Sequence, residues 1–543
     1  MRGWFHWKNW FKGKRKYLTV FVLLIAVFSV WFFVFPLDAE PNITISKETT
    51  FLTEPVGKDG YIDYTAAVNA RRSKGVTPEN NAAVLLVKAI GPKAAAGLDQ
   101  KAFYEKLGIA PLQEQGDYLM GQDEFSRKMS PDDYYAYLDE LIKQIDDSYG
   151  KPWSRKQFPK LAAWLDQNKK PLDLVVQAVK RERYWYPVVS VSWGANTPID
   201  LWHHTGPNFE SIVAMRRGLA RRAMLAVTEN RIDEAMQDIL ASYRLSQHLS
   251  QANNVLDFLM GCAVEAESHF TLLALLESGK MSDEQLMSLW LKYQKLSEFQ
   301  SFADLINFES RLKTLQCISF LARNPSRGYL ALSFEIFLPP EGRATKANFF
   351  MKRGWKRVFL KVDWNLVLTQ TNAHYDQIYA ALKRPHHRDR INQLKKLKKE
   401  FPEYEGMGET EFIVRWLLLG NLSSSKATKM MGDYICYAFH ENGTGVSEAQ
   451  NRAITRNRLM RIAIALESYR RKHGRFPETL ARLKPEFLKE IPLDLYSEKP
   501  FLYRPEKKGY LLNSVGQNLR DDKGVTSGPE EKDDIGIKMS LPE

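Results

Sequence analysis

The sequence has 543 residues, of which 44% are hydrophobic and 26% are charged. These values are ordinary for globular proteins, so they exclude a mainly disordered chain, and the length allows about two to four domains. Six of the positive charges lie in residues 1–17, which contain no acidic residue. Removing these six from the net charge of +13 leaves +7 for more than 500 residues. That density is too low to predict a nucleic-acid-binding protein.

An unbroken uncharged run, LTVFVLLIAVFSVWFFVF, follows the basic segment. As an α-helix it would be about 27 Å long, close to the hydrocarbon thickness of a bilayer. The basic residues precede the run, so the positive-inside rule predicts a cytoplasmic segment at 1–17 and one transmembrane anchor at 18–36. The rest of the chain would then lie outside the cytoplasm, in the periplasm. A cleaved signal peptide is the alternative, but its apolar stretch is usually about 7–15 residues long.

Trp4, Trp7 and Trp10 recur every three residues in the basic segment, between lysines. This pattern is typical of a short interfacial helix whose rings lie at the level of the lipid headgroups. Membrane lipid is therefore the first expected partner.

The composition changes several times along the rest of the chain, and each change predicts a boundary. The predicted parts are a linker at 37–58, a helical region at 59–190, an irregular connection at 191–208, a second helical region at 209–450 and a flexible tail at 531–543. Between the last two lies a small α+β module at 451–530, which is implied by a resemblance described below.

Two stretches carry the strongest helical patterns. Apolar residues at helical spacing predict a helix over 131–148. Residues 209–250 predict an antiparallel pair of helices with a turn at 228–230, because small residues recur where two helices must approach. Thr77 followed by Pro78 predicts a further helix start, with Thr77 as the N-cap. The fold class expected is mainly α, built from helical hairpins.

Known catalytic and metal-binding motifs are missing from the sequence, so no enzyme class is predicted. Cys262, Cys317 and Cys436 are far apart and odd in number, which favours buried free thiols, with one disulfide as the alternative. The adjacent pairs His203-His204 and His386-His387 point apart on any regular backbone and are poor chelators.

Two polar sets remain as candidate sites. Glu265 and His269 share one face of an apolar helix and could be two ligands or a hydrogen-bonded pair. The second set comprises Asp363, Asn365, Asn372 and Asp376. These side chains could line a polar cleft or could hold helices together.

The C-terminal part carries a resemblance to a known family. The quoted elements are His473-Gly474-Arg475-Phe476-Pro477, then Ile491-Pro492-Leu493-Asp494, and then Gly509-Tyr510 leading to Ser514-Val515-Gly516. In order and spacing they resemble the soluble module of the major pseudopilins of type II secretion. The resemblance implies a helix packed on a small antiparallel sheet, with two strands in FLYRPEKKGYLLNSV joined at Glu506–Gly509.

The same resemblance implies a cofactor, but the sequence differs from the pseudopilin pattern in one respect. Many pseudopilins bind calcium in the loop after the matching Ser-x-Gly, and here that loop offers the oxygen donors of Asn518, Asp521 and Asp522. No other cofactor is expected. A pilin, however, places its membrane stem directly before this module, whereas here the apolar run lies more than 400 residues earlier. Assembly into a filament is therefore not expected.

Phrases such as YIDYTAAVNARRSKGVTPENNAAVLLVKAIGP and ENRIDEAMQDILASYRLSQHL resemble uncharacterised membrane-anchored proteins of planctomycete bacteria. That resemblance implies a protein of the cell envelope and supplies no activity. The sequence thus favours a membrane-anchored scaffold whose partners are other envelope proteins and not nucleic acid. An envelope enzyme of unknown class, with a polar cleft in the helical body, is the alternative.

Overall fold

The computed structural model describes residues 42–191, 201, 206–251, 254–297, 299–324, 359–407, 411–412, 415–416, 418–419, 423–438, 443–524 and 532–540. The described chain is mainly helical and has a small three-stranded antiparallel sheet near its C-terminal end. The predicted fold class is confirmed at this level. The predicted anchor at 18–36 and its flanking Trp4, Trp7 and Trp10 lie outside the described residues.

Between residues 42 and 191 the chain forms seven α-helices, which are α1 (Tyr64–Arg72), α2 (Ala82–Ile90), α3 (Gln100–Leu107), α4 (Gln122–Met129), α5 (Tyr134–Asp147), α6 (Pro159–Gln167) and α7 (Lys169–Ala178). The predicted helix over 131–148 is confirmed as α5. The prediction that Thr77 caps a helix is wrong, because Asn81 is the N-cap of α2 and accepts a hydrogen bond from Ala83 N. The Asn81 amide also donates to Trp185 O at 2.8 Å, so a distant contact selects this start.

The middle of the chain contains four helices that pack together, which are α8 (Phe209–Thr228), α9 (Ile232–Ser250), α10 (Val255–Glu277) and α11 (Asp283–Gln294). The predicted hairpin is confirmed, since α8 ends at Thr228 and Asn230 turns the chain with a φ of 59°. Both helices of the hairpin pack against α10. Among the described residues, α10 is the one helix apolar and long enough to cross a membrane, and 72% of its most apolar window is buried in the protein.

A second group of helices follows, α12 (Phe302–Leu305), α13 (Arg311–Arg323), α14 (Trp364–Leu382), α15 (His387–Lys398) and α16 (Ser424–Ala438). One π-helical turn, Ile306–Ser310, joins α12 to α13. The helices α13 and α16 both pack against α14.

The C-terminal part begins with the 31-residue helix α17 (Gly443–His473) and continues into strands β1 (Leu502–Glu506), β2 (Gly509–Ser514) and β3 (Ile535–Ser540). The two predicted strands and their turn are confirmed, because Glu506 pairs with Gly509 across a two-residue loop. The flexible tail predicted at 531–543 is wrong for β3, which pairs antiparallel with β2 along its whole length.

The hydrophobic cores do not follow the predicted domain boundaries. One core contains residues of α2–α11 together with Leu459–Leu466 of α17 and the inner face of the sheet, including Tyr510 and Ile537. A second core joins α1 and α13 to α14 and α16. The module therefore has no core of its own, and α17 starts eight residues before the predicted boundary at 451.

The prediction of a linker at 37–58 is wrong over its described part, because this segment packs against the second core. Ile43, Ile45, Phe51 and Leu52 pack against the second core. The residues between them form a turn held by Ser46 and its neighbours. The polarity of the sequence predicts a linker here because it does not show which distant residues this segment contacts.

Candidate functional site

A group of oxygen-bearing side chains lies where the sheet meets the loop after β2. Four residues form this acidic cluster, Asn518, Asp522, Asp533 and Asp534. β2 ends at Ser514 and β3 begins at Ile535, so the antiparallel pairing brings residues 516–524 beside 532–534. Asn518 and Asp522 were predicted from the sequence, whereas Asp533 and Asp534 were not.

The carboxylates of the cluster hold loop backbone. Asp533 Oδ2 accepts hydrogen bonds from Gln517 N at 2.9 Å and from Asn518 N at 3.2 Å. Asp522 Oδ2 accepts from Asn518 Nδ2 at 2.8 Å and from Asp533 N at 3.2 Å. The two acidic segments are therefore joined directly.

Asp534 is the most unusual member, because its side chain is completely buried. Its Oδ2 accepts from Asn513 Nδ2 and from Gly524 N, both at 2.8 Å, but its Oδ1 has no hydrogen-bond donor within the described structure. Burial, followed by repulsion from Asp522 and Asp521, raises the pKa of Asp534. Burial also raises the pKa of Asp533. A buried acceptor without a donor is costly, so the cluster favours a proton or a cation.

The third predicted calcium ligand, Asp521, is used differently. Its side chain forms an ion pair with Arg504 of β1, and Lys523 N donates to its Oδ1 at 3.0 Å. In the described residues no three Asp, Glu, His or Cys side chains converge in metal-binding geometry. The donor chemistry of the cluster, all oxygen, suits calcium. Calcium binding by Asn518, Asp521 and Asp522 stays a prediction, and Asp521 is already paired with Arg504.

The structure separates the residues of the predicted polar cleft. Asp363 caps α14 by accepting from Leu366 N at 3.1 Å. Asn365 accepts from Thr44 N at 2.8 Å, and Asn372 donates to Glu48 O and Thr49 O at 3.0 and 2.8 Å. Asp376 forms an ion pair of 2.6 Å with Arg311, which is buried. These side chains thus fasten residues 42–50 and α13 onto α14.

Glu265 and His269 lie on one face of α10, as their spacing predicted, but they do not bind each other. Glu265 Oε2 accepts from Arg456 of α17, at 2.9 Å from Nε and 2.5 Å from Nη2. Burial raises the pKa of Glu265, and Arg456 opposes that rise. Burial, followed by the charge of Arg456, lowers the pKa of the fully buried His269 to about 3. The ion pair between Glu265 and Arg456 joins α10 to the C-terminal helix α17, so Glu265 has a structural role.

The remaining candidates are also occupied or inert. His386 contacts Glu498 at 2.6 Å, whereas His387 contacts Asn451 at 2.9 Å, so the two rings do point to different partners. His203-His204 lies outside the described residues. The three cysteines are buried and free, as predicted, and burial raises the thiol pKa of each to about 12.

A groove of about 730 Å³ lies between α6, α7, α8 and α9. Its charged lining is balanced, with Arg155, Lys169, Lys180, Arg222 and Arg231 facing Asp166, Asp173, Glu229, Glu234 and Asp238. Each arginine already pairs with two of these carboxylates. The groove therefore gives no preference for a ligand of either charge.

Comparisons of this chain with known protein families, with curated proteins and with solved structures find no match. The two resemblances described from the sequence gain no support from them and stay predictions.

Proposed function

We propose that this protein is a membrane-anchored scaffold of the cell envelope that binds other envelope proteins and has no catalytic activity of its own. The observation that supports this proposal most is the use of the polar side chains on α14. A catalytic cleft would gather such side chains around an open space. Here Asn365 and Asn372 instead bind the backbone of residues 42–50, the segment that follows the predicted anchor.

The shared core adds a second argument. A buried ion pair between Glu265 and Arg456, and the packing of β3 on α10 and α17, join the C-terminal module to the helical body. A chain built in this way presents its surfaces in fixed relation to one another. Such rigidity suits a docking protein, because less conformational entropy is lost on binding.

Crosslinking in intact cells, followed by capture of the full-length chain, tests the proposal. An exposed apolar pair one turn apart on α11, Met287 and Leu291, offers a matched variant, since 59% and 52% of these residues are exposed. We expect other envelope proteins in stoichiometric yield and a clear loss in the double variant Met287→Lys, Leu291→Lys. A control change, Met129→Lys on α4, should leave the yield unchanged. Recovery of the chain alone from wild-type cells would overturn the scaffold proposal.

Calcium-dependent stabilisation of the C-terminal part is a second proposed property, favoured by the buried Oδ1 of Asp534, which has no hydrogen-bond donor among the described residues. Calcium should raise the melting temperature of the full chain relative to a chelator, and magnesium should do so far less. Asp534→Asn should abolish the rise, whereas Asp521→Asn should preserve it, because Asp521 already pairs with Arg504.

The pH dependence gives the calcium proposal a further test. Raised carboxyl pKa values mean that these groups stabilise the calcium-free fold at low pH and that this contribution is lost as the pH rises through them. Protons compete with calcium, so the calcium-induced rise in melting temperature should grow from pH 4 to pH 7. An equal melting temperature with calcium and with chelator at pH 7 would contradict calcium binding.

A further inference from the structure

Helix α15 and the residues just before it carry a dense group of positive charges. Residues 383–399 contain eight lysine or arginine residues and one acidic residue, Asp389. A run of this kind can simply keep a helix face solvated, so its arrangement in the fold decides what it can bind. Neither the scaffold proposal nor the calcium proposal uses these charges.

One side of α15 is apolar and faces the protein. Ile391, Leu394 and Leu397 are buried, and their spacing of three residues places them on one stripe of the helix. Through this stripe α15 packs against α14 and α17. The helix is therefore fixed to the body, and the opposite side of α15 is held outward in a constant direction.

Four exposed cations share that outer side. These residues are called the basic face below and are Arg388, Lys395, Lys396 and Lys399. They lie zero, seven, eight and eleven residues from Arg388, which is the spacing of a single helix face. Asn392, which lies among them, is exposed and uncharged. Their charges therefore point in one common direction.

The charges of the basic face are not neutralised by the described part of the chain. None of the four residues forms an ion pair there, whereas Lys383, just before the helix, lies 2.9 Å from Asp304. The closest acidic residues in sequence are Asp389, about 100° around the helix from Arg388, and Glu400, which follows the C-terminal end of α15. An excess of positive charge on one exposed side attracts an anionic partner.

The basic face lies near the segment that follows the predicted anchor. Thr44 N donates to Asn365 on the first turn of α14. Just after α15, the ring of Phe401 lies 5.5 Å from the ring of His374 on α14. Asn365 and His374 are nine residues apart, or about 14 Å along the helix. If the run 18–36 crosses a bilayer, the end of α15 is thus held within reach of the bilayer surface.

We propose that the basic face binds the anionic headgroups of the bilayer in which the protein is anchored, which rests on the membrane-anchored part of the proposed function. Lysine and arginine side chains are attracted to anionic lipid without a fitted pocket, because the field of the bilayer acts over about a Debye length. Within α15 no large apolar residue is exposed. The helix would therefore lie on the headgroups without inserting, and this contact would orient the body on the membrane.

Energy transfer from a dye on the basic face to acceptor-labelled lipid tests this proposal. In the full chain Asn392→Cys supplies one exposed thiol, because Cys262, Cys317 and Cys436 are buried. The chain is inserted into phosphatidylcholine vesicles with or without about 30% phosphatidylglycerol. We expect about twofold higher transfer with the anionic lipid at about 50 mM salt and no difference at about 0.5 M salt. Equal transfer in the two kinds of vesicle at low salt would overturn the proposal.

Removal of the charges should abolish the difference between the vesicles. The labelled triple variant Lys395→Gln, Lys396→Gln, Lys399→Gln should fold, because these side chains are exposed and form no ion pair in the described structure. A control removes the same net charge from exposed lysines elsewhere, through Lys101→Gln, Lys106→Gln and Lys151→Gln, and should keep the difference. A difference that survives in the first triple variant would reject the basic face as the lipid contact.

The same vesicles distinguish this proposal from the proposed anchor. Retention of the chain on neutral vesicles at about 0.5 M salt reports the anchor, because screening leaves the apolar insertion intact. Loss of the chain from neutral vesicles, together with salt-sensitive transfer on anionic ones, would refute the anchor and support the basic face. Transfer that responds only to added envelope proteins would identify an acidic protein as the partner and reject lipid.

Discussion

His269 is the ionisable side chain whose protonation would damage the fold most directly. It is fully buried on α10, and burial followed by Arg456 lowers its pKa to about 3, against about 6.5 in an unfolded chain. Because the folded pKa is the lower one, its contribution to stability is present above pH 6.5 and is lost as the pH falls. The loss is up to about 1.4 kcal/mol per pH unit.

We therefore expect His269→Leu to flatten the fall in melting temperature between pH 6.5 and pH 4. His473→Gln, a change at an exposed histidine, should keep the wild-type dependence. The measurement is a series of thermal melts across that pH range. An unchanged slope for His269→Leu would show that other groups control the acid response.

The ion pair between Glu265 and Arg456 gives a second prediction at the residue scale. Arg456→Met should destabilise the fold by about 3–5 kcal/mol, because it leaves a buried carboxylate without its partner. The pKa of Glu265 is already raised by burial, and Arg456 opposes the rise. Without Arg456 the pKa should rise further, so stability is retained at pH 5 and lost as the pH increases to 8.

The double variant Glu265→Leu, Arg456→Met is the control for that prediction. It removes both charges and should recover much of the lost stability in melts at pH 8. A double variant as unstable as Arg456→Met would contradict the electrostatic explanation.

Helical spacing was enough to place Glu265 and His269 on one face. It could not identify Arg456, which lies 191 residues away in sequence.

At the scale of elements, the contact between β2 and β3 depends on Gly509. A Cβ atom at this position would lie 1.9 Å from Met539 O of the neighbouring strand. Gly509→Ala should push β3 away and destabilise the protein by about 1–3 kcal/mol, the usual range for overpacking. Faster hydrogen exchange in residues 535–540 would report the change. Gly445→Ala in α17, where nothing lies within 4 Å, should not destabilise the protein and could stabilise it by up to about 1 kcal/mol.

Elements with strong local patterns could be predicted, whereas elements fixed by distant partners could not. Helix α5, the α8–α9 hairpin and the β1–β2 turn follow from periodicity and turn residues close in sequence. β3 follows five consecutive acidic or basic residues, 530–534, and its pairing with β2 makes it a strand. Asp533 and Asp534 were missed for the same reason. The alternating apolar residues of IGIKM were the one available signal.

At the scale of the molecule, the shared core predicts that the C-terminal sheet and the central helices unfold together. Ile537→Ala in β3 and Leu272→Ala in α10 remove side chains from the same core, at a cost of about 2–5 kcal/mol each. Both should speed hydrogen exchange in the sheet and in α8–α10 alike. Leu315→Ala, in the second core, should act first on α13 and α14. Faster exchange confined to the sheet in Ile537→Ala would contradict a common unit.

The domain boundaries could not be predicted from composition, because the C-terminal residues belong to the first core although the residues of the second core precede them in sequence. The polar stretch at 37–58 and the resemblance that begins near 451 predict borders between independent parts. In the structure Asn372 holds the first stretch, and a single helix runs through the second. Local sequence carries no information about which earlier surface a later segment will cover.

The attachment of residues 42–50 to α14 also limits how far the body could move if the run 18–36 crosses a bilayer. Only about six residues would then separate the lipid from the first fastened residue, and an extended chain of that length reaches about 20 Å. The protein could rotate about this short linker, but it could not move far from the membrane surface. Its binding surfaces would be confined to a thin layer along the membrane. The effective concentration of these surfaces would therefore be far higher for a partner anchored in the same membrane than for a freely diffusing partner.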